Sequence, residues 1–159
     1  MENAIRLNID TYPFMLAFER SDGYEIADSP RITFLDRETG ELVWAYKWNC
    51  ERTVYEGARP EDSSGLREQI AARPERYLEI RGLTHDDHHE MLRTFLQTAW
   101  TDDDDLRDMA YVAYTGTIGE WRYRVGEEIY ALFEFYRMDV IQALAERWLV
   151  KHRIRPNWT

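Results

Sequence analysis

The sequence predicts an α+β fold, with a small antiparallel sheet in the N-terminal half packed against a helical C-terminal half. Two short runs rich in strand-forming residues flank a polar turn near residue 40, and a similar run follows near residue 78. From Thr84 onward, apolar residues instead recur at three- and four-residue steps, which is the period of a helix. Strand patterns followed by helical patterns are typical of α+β proteins, and 159 residues suit one domain over 1–159.

The first predicted element is a helix over residues 11–19. Asp10 or Thr11 can cap it, and Pro13 is tolerated only in a first turn. Phe14, Leu16 and Phe18 also alternate with other residues, so a strand is the competing interpretation.

The sheet is predicted from a hairpin and one further strand. Residues 32–35 and 42–46 form the hairpin, because Gly40 supplies the positive φ that its turn requires. Residues 76–80 are expected to pair with it as the third strand. Between these strands, Ser63 or Ser64 can cap a short helix that ends before Pro74.

The C-terminal half is predicted to be helical. The stripes of apolar residues at 91–100 and 106–113 indicate two helices, and a third stripe from Ile129 to Trp148 indicates a long amphipathic helix that ends near His152. Thr84 and Asp87 have the spacing of a capping box, and Thr101 and Asp104 repeat that spacing before the second helix. The run of acidic residues from Asp102 to Asp105 is therefore interpreted as a helix start rather than as a Ca²⁺ or Mg²⁺ site.

Composition excludes several classes of function. Twenty Lys and Arg against thirty Asp and Glu give a net charge of −10, which opposes general attraction to nucleic acid or to anionic lipid. No apolar run approaches the roughly 20 residues of a membrane helix, and the N-terminal residues lack the pattern of a secretory signal. Cys50 is the single cysteine, so no internal disulfide can form, and we expect a cytoplasmic protein.

Four segments of the chain resemble, in the same order, those of bacterial uncharacterised protein family 0158. The segments are 35–43, 75–80, 91–96 and 145–149, the last followed by Ile154. The resemblance covers residues 32–154. It implies a shared fold, and it implies no activity and no catalytic residues.

The strongest candidate for chemistry is a histidine cluster at the start of the first C-terminal helix. His85 and His89 are one helical turn apart, which is the spacing at which two imidazoles can share a Zn²⁺ ion, and Glu90 or Asp86 could complete the site. The alternative is a solvated helix start with its capping residues, and we favour it because the chain contains no H-E-x-x-H motif.

Two aromatic groups are candidates for binding. Trp121 and Tyr123 alternate with Arg122 and Arg124, a pattern that can stack on bases and hold phosphates. The second group would share one face of the second hairpin strand if that strand extends far enough, and consists of Trp44, Tyr46 and Trp48. For both groups, a role in the hydrophobic core is the favoured interpretation.

These observations leave two hypotheses for the function. The first is a nonenzymatic acidic protein that binds a basic protein partner, as an inhibitor, immunity or regulatory protein would, without a cofactor. The second is a metal-dependent hydrolase that uses His85, His89 and nearby carboxylates with Zn²⁺, directed to nucleic acid by Arg122 and Arg124. The sequence specifies neither the partner nor the oligomeric state.

Overall fold

A computed structural model of the chain describes residues 3–19, 31–46 and 68–159. Its contacts divide the chain into two compact units. The sheet unit comprises Met1–Leu83 together with Leu144–Thr159, and the helical unit is Thr84–Ala143. The single domain over residues 1–159 that the sequence suggests stays a prediction.

A three-stranded antiparallel sheet forms in the N-terminal half, as predicted. Strand β2 (Arg31–Asp36) lies between β3 (Leu42–Tyr46) and β4 (Tyr77–Ile80). Phe34 of β2 is opposite Val43 on one side and Glu79 on the other. The helices of the C-terminal half complete the α+β class that the sequence predicts.

The turn between β2 and β3 depends on Gly40. Its φ of +81° lies in the left-handed region, and its N–H donates to the Asp36 carbonyl at 2.8 Å. A Cβ atom at this position would also lie too close to the carbonyl oxygen of Asn8. Glycine is therefore required both by the backbone conformation and by the close approach of another strand.

The buried carboxylate of Asp36 connects this turn to β4. Arg76 donates to it from two nitrogens, Nε to Oδ1 at 2.9 Å and Nη2 to Oδ2 at 2.8 Å. The Glu38 N–H also donates to Oδ1. These bonds, with that of Arg76 as the main cause, lower the pKa of Asp36 to about 2, although burial of the group opposes the change.

A second, two-stranded sheet was not predicted from the sequence. Strand β1 (Ile5–Ile9) pairs in parallel with β5 (Ile154–Trp158). The segment after β1 is helix α1 (Thr11–Glu19), so the helical interpretation of this segment is correct and the strand alternative is wrong. Its buried residues, Phe14 and Phe18, pack edge-on against Trp148.

The predicted short helix before Pro74 is present at residues 68–72. Its Ile70 packs in a small core with Tyr77 of β4, and Phe34 and Val43 cover this core. Ser63 and Ser64, the expected caps, lie outside the described residues.

The helical unit contains α2 (His85–Leu96), α3 (Asp104–Ala113), α4 (Ile118–Val125) and the first part of α5 (Glu127–Lys151). The long C-terminal helix predicted to end near His152 is thus confirmed. Aromatic rings fill the core, with Phe95 5.6 Å from both Trp100 and Phe133 between ring centroids. None of the helices in the described ranges combines the length and apolar character needed to cross a bilayer.

Candidate functional site

The start of α2 fixes the position of the histidine cluster. The Asp87 N–H donates to the Thr84 hydroxyl at 3.1 Å, and the Thr84 N–H donates to the Asp87 carboxylate at 2.8 Å. This is the predicted capping box. Because it sets the first residue of the helix, His85 and His89 lie on the same helical face one turn apart.

His85 and His89 face each other through the same ring atom. Their Nε2 atoms are 2.7 Å apart, and their ring centroids are 4.5 Å apart. The other ring nitrogen of His89, Nδ1, is hydrogen-bonded to the hydroxyl of Tyr114, the residue that caps the C-terminus of α3. The three side chains thus form a continuous chain of polar contacts from α2 to the end of α3.

The two histidines differ in exposure. His89 is only 8% exposed, whereas His85 at the helix start is exposed to solvent. Burial of the His89 ring is the main cause that lowers its pKa, and the neighbouring His85 lowers it further. The pair therefore joins one fixed, buried imidazole to one that faces water.

His88 belongs to a different network in the same unit. It is 2% exposed, and its Nδ1 lies 3.5 Å from an Arg137 nitrogen. Arg137 also donates to the Tyr130 hydroxyl at 3.2 Å and forms an ion pair with Glu134. This histidine contributes to the contact between α2 and α5 rather than to the pair.

The third predicted ligand, Glu90, does not approach the histidine pair. Its carboxylate accepts from Arg93 at 2.9 and 3.1 Å and is largely exposed. Within residues 3–19, 31–46 and 68–159, no group of three or more His, Cys, Asp or Glu side chains is arranged to hold a metal ion. The hydrolase hypothesis stays a prediction, with two of its three proposed ligands adjacent.

The structure places Trp121 in the core of the helical unit. Its indole is fully buried, and its N–H donates to the Ala110 carbonyl at 2.9 Å. Arg122 donates to Glu127 at 2.9 and 2.8 Å, and its guanidinium lies 4.3 Å from the centroid of the Tyr130 ring. These contacts hold α4 to α3 and α5.

Arg124 is also in contact with its own unit. It donates to the Ala113 carbonyl at 3.1 Å and to the Thr115 hydroxyl at 2.8 Å. Only Tyr123, which is 91% exposed, leaves its ring largely open to solvent in this aromatic and basic segment.

Two of the three strand aromatics lie in β3. Trp44 is opposite Thr33 and is 40% exposed, and Tyr46 is the last residue of the strand. Trp48 and Cys50 lie outside the described residues. A platform of three rings therefore stays a prediction.

The predicted cap of α3 was wrong by two residues. Asp103, not Thr101, is the N-cap, and its carboxylate accepts from the Leu106 N–H at 3.1 Å. The Thr101 hydroxyl instead accepts from the Asp103 N–H at 3.2 Å. The consecutive aspartates offer several carboxylates in a row, so spacing from a threonine could not decide which residue caps.

Two polar residues of this region were missed by sequence reasoning. Tyr114 lies 25 residues from its partner His89, and Arg137 lies 49 residues from His88. Neither has a local signal beyond its position near the end of one helix or within another.

Comparison with protein-family models, with curated proteins and with solved structures found no match.

Proposed function

We propose that the protein is a nonenzymatic binding protein that recognises a basic surface on another protein. The observation that carries the proposal is the distribution of charge. The helical unit, Thr84–Ala143, contains thirteen Asp and Glu and only five Arg, so with neutral histidines it holds −8 of the total charge of −10. An acidic field concentrated in one unit attracts a cationic partner to that unit.

The five arginines of this unit do not neutralise the excess. Each forms an ion pair with an acidic residue of the same unit. Four of the five partners lie three or four residues away, and the fifth, Glu127, begins the next helix: Arg93 with Glu90, Arg107 with Asp104, Arg122 with Glu127, Arg124 with Glu120 and Arg137 with Glu134. Eight acidic residues in this unit therefore lack a basic side chain of the same unit to balance their charge.

Helix α3 combines the acidic charge with apolar side chains. Asp105, Asp108, Met109 and Val112 follow the i, i+3, i+4, i+7 spacing, so they share one face, which we call the α3 outer face. All four are exposed, Met109 by 41% and Val112 by 74%. Apolar anchors beside carboxylates suit a partner that presents lysines or arginines around an apolar patch.

The resemblance to family 0158, and with it a bacterial cytoplasmic setting, belongs to the same proposal. The single cysteine supports the cytoplasmic setting, because a reducing compartment does not favour disulfides. An inhibitor, an immunity protein or a regulatory subunit would each use an acidic docking surface of this kind.

The test uses the immobilised full chain and a bacterial lysate at about 50 mM and about 500 mM salt, where screening lengths differ severalfold. We expect a basic protein to be retained at low salt and released at high salt. The purified partner should then associate about tenfold more slowly with the Asp105→Asn, Asp108→Asn double variant, because steering depends on charge. Val112→Ser should instead speed dissociation.

Asp139→Asn is the matched control, since Asp139 is an exposed acid on α5 outside the α3 outer face. It should leave both rates close to those of the unsubstituted protein. The proposal is wrong if no salt-sensitive basic partner is retained, or if the α3 variants and the Asp139 control bind that partner equally.

A further inference from the structure

We infer that His85 and His89 form a binding site for a divalent transition-metal ion such as Zn²⁺, with Tyr114 as a positioning residue. The inference is independent of the proposed function, since it rests on the geometry of the histidine pair and not on the charge of α3. It also differs from the hydrolase hypothesis, because it assigns no reaction and excludes Glu90 as a ligand.

The Nε2 atoms of His85 and His89 lie 2.7 Å apart. Each Nε2 of a neutral imidazole carries either a proton or a lone pair. At this distance the two atoms share a proton in an N–H···N bond, and a cation bound between them would take the place of that proton. Imidazole nitrogens on one helical face, four residues apart, are a frequent arrangement for Zn²⁺.

The hydroxyl of Tyr114 is hydrogen-bonded to Nδ1 of His89. When the Nδ1–H of His89 donates to the phenolic oxygen, Nε2 is left with the lone pair that a metal requires. Ligating histidines commonly donate their second N–H to a neighbouring acceptor, which fixes both tautomer and ring orientation. Tyr114 caps α3, so it connects the orientation of the His89 ring to a second helix.

Zn²⁺ binding requires the Nε2 atoms of the two histidines to move slightly apart. Zn–N bonds of about 2.0–2.1 Å in tetrahedral geometry place two ligand nitrogens about 3.4 Å apart. The observed pair would therefore have to open by about 0.7 Å. His89 is buried and held by Tyr114, whereas His85 is exposed, so we expect the adjustment to occur at His85.

The remaining coordination positions are not filled by the neighbouring histidine or glutamate. His88 contacts Arg137, and the Glu90 carboxylate is bound to Arg93. Within the described part of the chain no third His, Cys, Asp or Glu joins the pair. The site thus supplies two ligands, and the other positions are taken by water or by donor atoms of another molecule.

The test is a calorimetric titration of the untagged full chain with Zn²⁺, with Co²⁺ absorption as a second signal that reports imidazole coordination. We expect saturable binding of one ion per chain. His85→Ala should abolish it, and because His85 is exposed this variant should fold normally by circular dichroism. His152→Gln is the matched control, since it removes a histidine of the sheet unit, and it should leave the affinity unchanged.

The variant Tyr114→Phe tests whether Tyr114 orients the His89 ring for metal binding or only stabilises the fold. It retains the ring, so the melting curve of the metal-free protein should change little, but the affinity for Zn²⁺ should fall by about tenfold. The inference is overturned if Zn²⁺ gives only weak, nonsaturating heat, or if His85→Ala binds Zn²⁺ as well as His152→Gln does. Equal Zn²⁺ affinity in Tyr114→Phe would refute the role of Tyr114.

Discussion

The ion pair between Asp36 and Arg76 gives the sharpest quantitative prediction. Asp36 is 3% exposed and accepts two hydrogen bonds from Arg76, which lower its pKa from 3.8 to about 2. A pKa that is lower in the folded protein means that the ionised form stabilises the fold. A difference of nearly two pKa units corresponds to about 2 kcal/mol of stability at neutral pH.

The ion pair of Asp36 stabilises the fold at neutral pH and loses this effect in acid. The contribution of Asp36 is fully present above the unfolded pKa near 4, and it is lost as the pH falls toward the folded value near 2. At pH 2 it should be below about 0.5 kcal/mol. Acid should therefore weaken the sheet unit through this group over the range from about pH 5 to pH 2.

Asp36→Asn removes the charge and one of the two acceptor oxygens. Adding about 1 kcal/mol for the lost hydrogen bond, we expect a loss of about 3 kcal/mol in the free energy of unfolding at pH 7. At pH 2 the loss should shrink to about 1 kcal/mol. Urea denaturation followed by circular dichroism at both pH values measures these differences.

Glu79→Gln is the matched control, because Glu79 carries the same charge on the adjacent strand β4 but is exposed. It should change stability at pH 7 by less than about 0.5 kcal/mol. The reasoning is refuted if Asp36→Asn is no more destabilising than this control at pH 7, or if its effect is the same at pH 2.

Three further predictions concern single positions. Gly40→Ala should destabilise the sheet unit by at least about 2 kcal/mol, because the added Cβ would clash with the carbonyl oxygen of Asn8 and the φ of this residue is positive. Gly119→Ala is its control, and it should be neutral or stabilising because Gly119 lies in open space on α4. Trp121→Phe should cost about 2 to 3 kcal/mol, because it leaves the Ala110 carbonyl without its buried donor and the core underfilled. Thr84→Ala should cost about 1 kcal/mol through loss of the capping box. Urea midpoints of all four variants measure these changes.

The urea midpoints could contradict each of these three predictions. Equal midpoints for the two glycine variants would mean that the turn tolerates a side chain. A Trp121→Phe midpoint within error of the unsubstituted protein would show that the indole hydrogen bond contributes little. An unchanged midpoint in Thr84→Ala would mean that Asp87 or water replaces the cap.

Local signals explain most of what the sequence could predict. The β2–β3 hairpin, the third strand and helices α2, α3 and α5 follow from periodicity, from Gly40 and from the capping box at Thr84, all of which act within a few residues, whereas α4 was not predicted. The alternation of Ile5, Leu7 and Ile9 could have indicated β1. It could not have indicated the partner, because parallel pairing leaves no turn to mark it.

In the candidate site, too, the sequence predicted the local geometry but not the contacts between helices. The spacing of His85 and His89 predicted that their rings would lie together, because four residues on a helix fix that geometry. The roles of Tyr114 and Arg137 depend on how separate helices pack, which no local pattern encodes. The adjacent carboxylate of Glu90 was a reasonable ligand by distance in sequence, but it points to Arg93.

The pairing of β1 with β5 constrains the order in which the nascent chain can fold. All residues of Thr84–Ala143 are available before β5 is synthesised, whereas β1 is made first and has no partner until residues 154–158 have left the ribosome. At usual elongation rates this delay is about 8 to 30 s, during which the backbone N–H and C=O groups of β1 must be satisfied by water or by a chaperone. Translation that stops before Ile154 therefore leaves the first strand without its partner.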